Sequence, residues 1–259
     1  MRQHGGMLNG MPPIFVVSLV RETDRRARMQ KELKARQLDF DFFDAVDGAE
    51  LAESCYRHRM QEQWWRIMRG RRLSPGEIGC FLSHYALWQH LVDTGTPCAI
   101  VLEDDAVLED GFPVIIDALL KTDWDVVLLS PKKRYPVHQE LAVLDGQRFL
   151  VRYRRRVGTT VGYLIRREAA QALLHYCWHI RAPIDWLYAE WWRSGLAFCA
   201  VDPAIVTHAA VQPVIQTLPK VRRTMLQHAA AASYRLADWL YLRSVGSESL
   251  DMPPPTKPE

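Results

Sequence analysis

The stretch Ala99-Ile100-Val101-Leu102-Glu103-Asp104-Asp105 constrains this chain more than any other. Its four apolar residues, two of them β-branched, predict a short strand buried on both faces. Three carboxylates follow at once. Neighbouring acids repel one another and lose solvation on burial, so such a strand end needs positive charge beside it. The run is either a solvated acidic exit from the strand or the seat of a divalent cation with a phosphorylated ligand, because oxygen donors suit Mg²⁺ or Mn²⁺. In open α/β sheets, ligands gather at the carboxyl ends of strands, which is where these acids would stand.

The flanking segments predict alternating strands and helices. Residues 14–19 form a buried first strand, and residues 21–26 turn into a helix with Thr23 as its N-cap and Met29 and Leu33 on its apolar face. Arg21 and Arg25 then lie near a strand's carboxyl end, as phosphate or nucleotide contacts or as a solvated basic helix start. A second strand spans residues 40–46 and ends at the Asp47-Gly48 turn. Residues 49–72 are a polar helical excursion. Ser74-Pro75-Gly76-Glu77 is a helix start with a capping box. On that helix Ile78, Phe81, Leu82, Tyr85 and Val92 make the buried stripe, with Cys80 and His84 on a neighbouring face. No second ligand pair accompanies Cys80 and His84, so His84 reads as a hydrogen-bonding residue.

Further on, residues 111–120 predict a helix and 123–130 a strand. Residues 131–156 read as a mobile basic segment, and 158–165 as a strand whose small first residues would let a ligand approach the backbone. Asp185 falls at a helix start beside Trp186, and residues 196–207 give a last strand leading to His208. The division expected is a flexible leader (1–13), one catalytic domain (14–218), a basic amphipathic helix (219–245) and a disordered tail (246–259).

Composition narrows the classes. A net charge of +3 is too small to imply nucleic acid, and five cysteines without a CxxC pair fit neither a disulfide framework nor a zinc knuckle. No segment approaches the roughly 20 apolar residues of a membrane span. The expectation is a soluble cytoplasmic protein, or one peripheral on the inner face of the cytoplasmic membrane through its basic amphipathic helix. No GxGxxG follows the first strand and no P-loop occurs, which weakens dehydrogenase and P-loop readings.

Taken together, several segments resemble the glycosyltransferase family 25 enzymes: Val17-Ser18-Leu19 with Arg21 and Asp24-Arg25-Arg26; Phe43-Asp44-Ala45-Val46-Asp47-Gly48; Leu73 through Cys80 with Ser83-His84 and Trp88; and Ile100 through Asp105. Fainter likeness continues through Asp123-Trp124-Asp125, residues 158–163 and Pro183-Ile184-Asp185. The family has Asn where Ser18 stands here. The resemblance implies an α/β fold of GT-A type, with a mostly parallel central sheet flanked by helices, holding a nucleotide sugar (UDP-galactose) and a divalent metal, Mn²⁺ or Mg²⁺. It further implies inverting transfer of galactose to a lipooligosaccharide or other surface glycan. On that basis Glu103, Asp105 and, by analogy with other transferases of the fold, His208 would hold the metal. Ser18, Leu19, Arg21, Arg25, Asp47, His84 and Asp104 would meet the donor. Asp185, then Glu190, would serve as the base that a developing glycosidic bond requires. Two rivals remain: a metal-dependent nucleotidyltransferase, and a non-catalytic relative that only binds.

Overall fold

The computed structural model describes residues 10–131, 137–153, 156–209, 218, 219, 222 and 224–248. Most of the leader and of the tail expected from the sequence therefore lies outside the described residues. In chain order come β1 (Ile14–Ser18), α1 (Thr23–Ala35), β2 (Asp41–Asp44), two short 3-10 turns (Glu53–Cys55 and Arg57–Arg59), α2 (Gln63–Arg69) and α3 (Pro75–Asp93). They are followed by β3 (Cys98–Glu103), β4 (Ala106–Leu108), α4 (Phe112–Leu120), β5 (Val126–Leu128), β6 (Val137–Val143), β7 (Phe149–Tyr153), β8 (Gly162–Arg166) and α5 (Arg167–Tyr176). The chain continues through α6 (Ile184–Tyr188), α7 (Trp191–Ser194), β9 (Phe198–Asp202), β10 (Val206–His208) and α8 (Met225–Glu248).

Among the described residues the main sheet has eight strands in the order β2-β1-β3-β8-β5-β9-β7-β6. β1 pairs in parallel with β2 and β3, and β5 with β9, while β8 and β7 run against their neighbours. The sheet is thus mixed, with most strands pointing one way. β4 and β10 form a small antiparallel pair beyond the end of β3.

Side chains of a strand alternate between the two faces of a sheet, and here each face is covered. Phe15, Val17, Ala99, Val101, Tyr163 and Ile165 pack beneath α3, α5 and α6. Ile14, Val16, Ile100, Leu102 and Leu164 pack on the opposite side against Met29 and Leu33 of α1 and Ile115, Ile116 and Leu119 of α4. Burial of each such side chain contributes about 1.5–3 kcal/mol, so the two cores fix the register of β1 and β3.

α3 begins as its sequence dictates. Ser74 Oγ accepts from Glu77 N at 3.2 Å, and the Glu77 carboxylate accepts from Ser74 N at 2.9 Å. Gly79, one turn in, meets the Asp47-Gly48 turn backbone to backbone: a Cβ on Gly79 would stand 2.7 Å from Gly48 N, and one on Gly48 would stand 1.8 Å from Pro75 O. Only glycine at both positions permits this contact, which clamps the loop after β2 onto the start of α3.

Some expectations need correction. The basic segment over residues 131–156 is largely a pair of paired strands, β6 and β7, because Leu150, Val151 and Tyr153 have a core to enter. Lys132, Lys133, Arg134, Arg154 and Arg155 lie outside the described residues. Glu22, not Thr23, occupies the N-cap of α1, and it makes no side-chain capping bond. The room at Gly158 is taken by the protein itself, since a Cβ there would stand 2.0 Å from the carbonyl oxygen of Asp185. The C-terminal helix runs three residues beyond the expected 245, to Glu248.

Candidate active site

Strand alternation separates Glu103 from Asp104, and the turn that follows β3 brings Asp105 to the side of Asp104. Val101 faces α3, so Glu103 does too; Leu102 faces α1, and Asp104 follows it. Two separate clusters result, one on each side of the end of β3.

On the α1 side, Ser18 Oγ donates to Asp104 Oδ2 at 2.7 Å in a buried contact. Arg25, two turns from the end of β1 in chain terms but folded back over it, places one guanidinium nitrogen 3.0 Å from Asp104 Oδ1 and the other 3.4 Å from Asp105 Oδ2. Arg28 donates to the carbonyl oxygens of Asp104 at 2.6 Å and Ala106 at 3.0 Å, which holds the turn between β3 and β4. The pairing of β10 with β4 sets His208 opposite Ala106, and its Nδ1 lies 3.9 Å from Asp105 Oδ2. Burial raises the carboxyls of both Asp104 and Asp105 above their ordinary range; Ser18 and Arg25 oppose this at Asp104, and at Asp105 Glu103 adds to it while Arg25 and His208 oppose it.

On the α3 side, His84 Nε2 lies 3.4 Å from Glu103 Oε1, and Nδ1 lies 2.9 Å from the Tyr163 hydroxyl. The indole N–H of Trp88 donates to the same hydroxyl at 3.0 Å. A carboxylate only accepts and an indole N–H only donates. The arrangement that uses every hydrogen has Tyr163 donating to Nδ1 and Nε2–H directed at Glu103. Cys80 sits one helical turn before His84 with its Sγ 3.9 Å from Glu103 Oε1. Burial first, then the Glu103 and Asp185 carboxylates, push its thiol well above the usual range, which puts Asp185 on this side of the sheet. α6, which carries Asp185, packs on this same side of the sheet through Ile184 and Leu187.

Glu190 is placed differently. It is buried, accepts from Arg156 at 2.6 Å and from the Tyr176 hydroxyl at 2.5 Å, and so ties α7 to the segment before β8 and to α5. Arg21 pairs with Asp47 at the rim, and the Leu19 carbonyl accepts from Arg26 Nε at 3.2 Å. Tyr163 and Arg28 escape a reading of the sequence. Tyr163 lies in an otherwise apolar strand, and its hydroxyl is the only signal; Arg28 is one more arginine on a basic helix, and only the fold shows what its guanidinium reaches.

Two donor sets bear on a metal. Asp105 Oδ1 is buried with no hydrogen-bond partner among the described residues, with His208 facing the same carboxylate. An orphaned carboxylate oxygen beside an imidazole fits a hard divalent cation. On the other face, the donor atoms of Cys80, His84 and Glu103 lie within 4.8 Å of one another. There the His84 ring already has a hydrogen-bond partner at each nitrogen, so this second set is the less available.

The model of glycosyltransferase family 25 (LPS biosynthesis protein) matches residues 11–188. Procollagen galactosyltransferase 1-B of Xenopus laevis is 35% identical over 175 residues, 62% of this chain and 28% of that relative. Inactive glycosyltransferase 25 family member 3 of Homo sapiens is 36% identical over 143 residues, 52% of this chain and 24% of that relative. The chain thus spans about a quarter of the length of these curated relatives. A crystal structure of a glycosyltransferase involved in the glycosylation of the major capsid of PBCV-1 is similar with a TM-score of 0.40 and 11% identity, covering 78% of this chain and 95% of that one.

Proposed function

Since the chain belongs to glycosyltransferase family 25, whose model spans residues 11–188, we propose that it transfers a hexosyl group from a nucleotide sugar to a glycan acceptor on a GT-A type scaffold. The observation that carries the reading is the buried Oδ1 of Asp105 at the carboxyl end of β3, without a hydrogen-bond partner among the described residues and with His208 alongside. Mn²⁺ or Mg²⁺ held by Asp105 and His208, with Glu103 near, would supply positive charge to a departing diphosphate. The Arg21–Asp47 pair, Leu19 and the Ser18–Asp104 contact form the nucleotide side of the site. Arg25 joins them, its guanidinium set against Asp104 and Asp105. Asp185 accepts the proton of the acceptor hydroxyl as that oxygen bonds to the anomeric carbon and the bond from that carbon to the diphosphate breaks, with inversion. His84 holds Glu103 in place. Glu190, enclosed by Arg156 and Tyr176, supports α7 rather than reacting.

Galactose from UDP-galactose is the first donor to test, in view of the Xenopus relative's name, and a lipopolysaccharide-type glycan the first acceptor, in view of the family's description. α8 supports a membrane surface as the place of action. Met225, Leu236 and Leu240 are 89%, 57% and 53% exposed on the face opposite buried Ala231. No helix among the described residues is long and apolar enough to cross a membrane.

A specific observation favours a second reading. Arg25 already compensates Asp104 and Asp105, and a human relative is called inactive, so a protein that binds nucleotide sugars without turnover would use the same contacts. Incubation with a panel of nucleotide sugars, with Mn²⁺ or with EDTA, separates these. The expected result is Mn²⁺-dependent release of a nucleoside diphosphate, lost in Asp105→Asn. Pyrophosphate release from a nucleoside triphosphate would mark a nucleotidyltransferase. Donor binding without release would establish the non-catalytic reading.

A further inference from the structure

The sequence pairs Cys80 with His84 and gives them no further ligand nearby; the fold supplies one from a distant element. Both residues stand on α3, one helical turn apart, and the last residue of β3 sets its carboxylate against them. Glu103 Oε1 lies 3.9 Å from Cys80 Sγ and 3.4 Å from His84 Nε2, and the three donor atoms all lie within 4.8 Å of one another. A thiol, an imidazole and a carboxylate thus converge from a capped helix and a central strand, which hold them without help from any loop.

These separations suit a shared ion better than they suit hydrogen bonds. An N–H···O bond closes to about 2.7–3.2 Å, and a charge-assisted one to the short end of that range. A tetrahedral Zn²⁺ with bonds of about 2.0–2.3 Å spaces a carboxylate oxygen about 3.3 Å from an imidazole nitrogen and about 3.5 Å from a thiolate. The first edge is met here, and the second is slightly open. The two nitrogens of His84 are accordingly unequal. Nδ1 has a close partner at 2.9 Å in the Tyr163 hydroxyl, which the Trp88 indole holds in turn, whereas Nε2 has the long contact to Glu103. Tyr163 and Trp88 therefore stand where a ligating imidazole has its outer partners, fixing the ring from behind. The Thr160 hydroxyl hydrogen-bonds the Cys80 sulfur in the same way.

We infer that Cys80, His84 and Glu103 form a second metal centre, one that takes a thiophilic divalent ion, Zn²⁺, through three protein ligands and leaves its fourth position to solvent. Sulfur and imidazole donors select such an ion, while Mn²⁺ and Mg²⁺ prefer oxygen, so the two sides of β3 would sort the two kinds of cation. His84 is buried, and the Glu103 side chain, 23% exposed, opens the way in. On binding, Cys80 gives its thiol proton to solvent, and the ring proton of His84 passes from Nε2 to Nδ1. Nδ1–H then donates to the Tyr163 oxygen, whose two lone pairs let it keep the Trp88 N–H as well. The inference stands without the transfer reading, because Asp105 and His208 contribute no ligand here.

Titration of the metal-free full chain with Co²⁺, its cysteines kept reduced, tests this. Co²⁺ enters the tetrahedral sites of Zn²⁺ and reports a thiolate ligand as a charge-transfer band in the near ultraviolet. The expected result is a saturable thiolate band that Zn²⁺ bleaches and that excess Mn²⁺ or Mg²⁺ leaves in place. Cys80→Ser should abolish the band. Asp105→Asn should retain it, and so should Cys55→Ser, which removes an exposed thiol. Glu103→Gln should keep the band and weaken Co²⁺ binding about tenfold or more, since loss of even an outer partner of a ligand costs that much. That variant also decides the matter should Cys80→Ser fold poorly. No band in the parent chain, a band in Cys80→Ser, its loss in Asp105→Asn or Cys55→Ser, or unchanged Co²⁺ affinity in Glu103→Gln would each overturn the inference. Bleaching by Mn²⁺ or Mg²⁺ as effective as by Zn²⁺ would overturn the selectivity for a thiophilic ion.

Discussion

The guanidinium of Arg25 lies 3.0 Å from Oδ1 of Asp104, so the acidic end of β3 has a positive neighbour supplied by the chain itself. Arg25→Ala removes the counter-charge from two partly buried carboxylates. Metal-free protein should lose about 1–3 kcal/mol of stability, read as a lower Tm. Mn²⁺ should then raise the Tm more in the variant than in the parent protein. Equal metal shifts in both would show that Arg25 and the cation do not share these acids.

Asp105 gives a pH-dependent prediction. Burial and Glu103 raise its carboxyl in the folded state. A carboxyl raised on folding stabilises the native state when protonated, and that contribution is lost as pH rises from the unfolded value through the raised one. At neutral pH the ionised group therefore costs stability. Asp105→Asn should melt higher than the parent at pH 7 without metal, and the gap should close in acid, below the ordinary carboxyl range. Transfer should disappear together with the Mn²⁺ shift. A variant that melts lower at pH 7, or that retains near-normal turnover, would contradict the assignment.

Tyr163→Phe removes the hydroxyl that joins Trp88 to His84. Two buried polar groups lose their partner, at a cost of about 1–3 kcal/mol. His84 is then free to turn away from Glu103, so kcat should fall about tenfold or more with little change in the KM for donor. A rise in donor KM at constant kcat would place this network in donor binding instead.

Gly158→Ala would set a Cβ 2.0 Å from the Asp185 carbonyl oxygen. The obstacle is backbone, so α6 has to shift, at about 1–3 kcal/mol. The variant should fold and bind donor while losing transfer, because the displaced element carries Asp185. Full activity would dissociate Asp185 from the chemistry.

Leu236→Glu/Leu240→Glu places charge on the outward face of α8. Sedimentation with vesicles containing anionic lipid should drop, while the catalytic rate on a water-soluble acceptor stays unchanged. Undiminished sedimentation would remove the bilayer as this face's partner.

How much of this was legible in the sequence varies with the range of the interaction. The β3 acids, the capping box at Ser74 and the strand–helix alternation are local patterns, and each stands where residue spacing puts it. The separation of Glu103 from Asp104 also follows from strand parity, once β3 is fixed at Cys98–Glu103, whereas the side taken by Asp105 is set by the turn after it. Pairing partners are a different matter. That Arg25 would meet Asp104, or that Glu190 would be enclosed by Arg156 and Tyr176, depends on contacts between distant segments, where one arginine reads like another. The β6–β7 pair was hidden for a related reason: its charged residues disguise a pattern in which Val151 and Tyr153 enter one core and Leu150 the other.

The meeting of Gly48 and Gly79 has a mechanical corollary. With main chain pressed on main chain there is no side-chain cushion to compress, and the loop bearing Asp47 shares one mounting with the helix bearing His84. Asp47 and His84 thereby keep a fixed spacing that no side-chain rearrangement can alter.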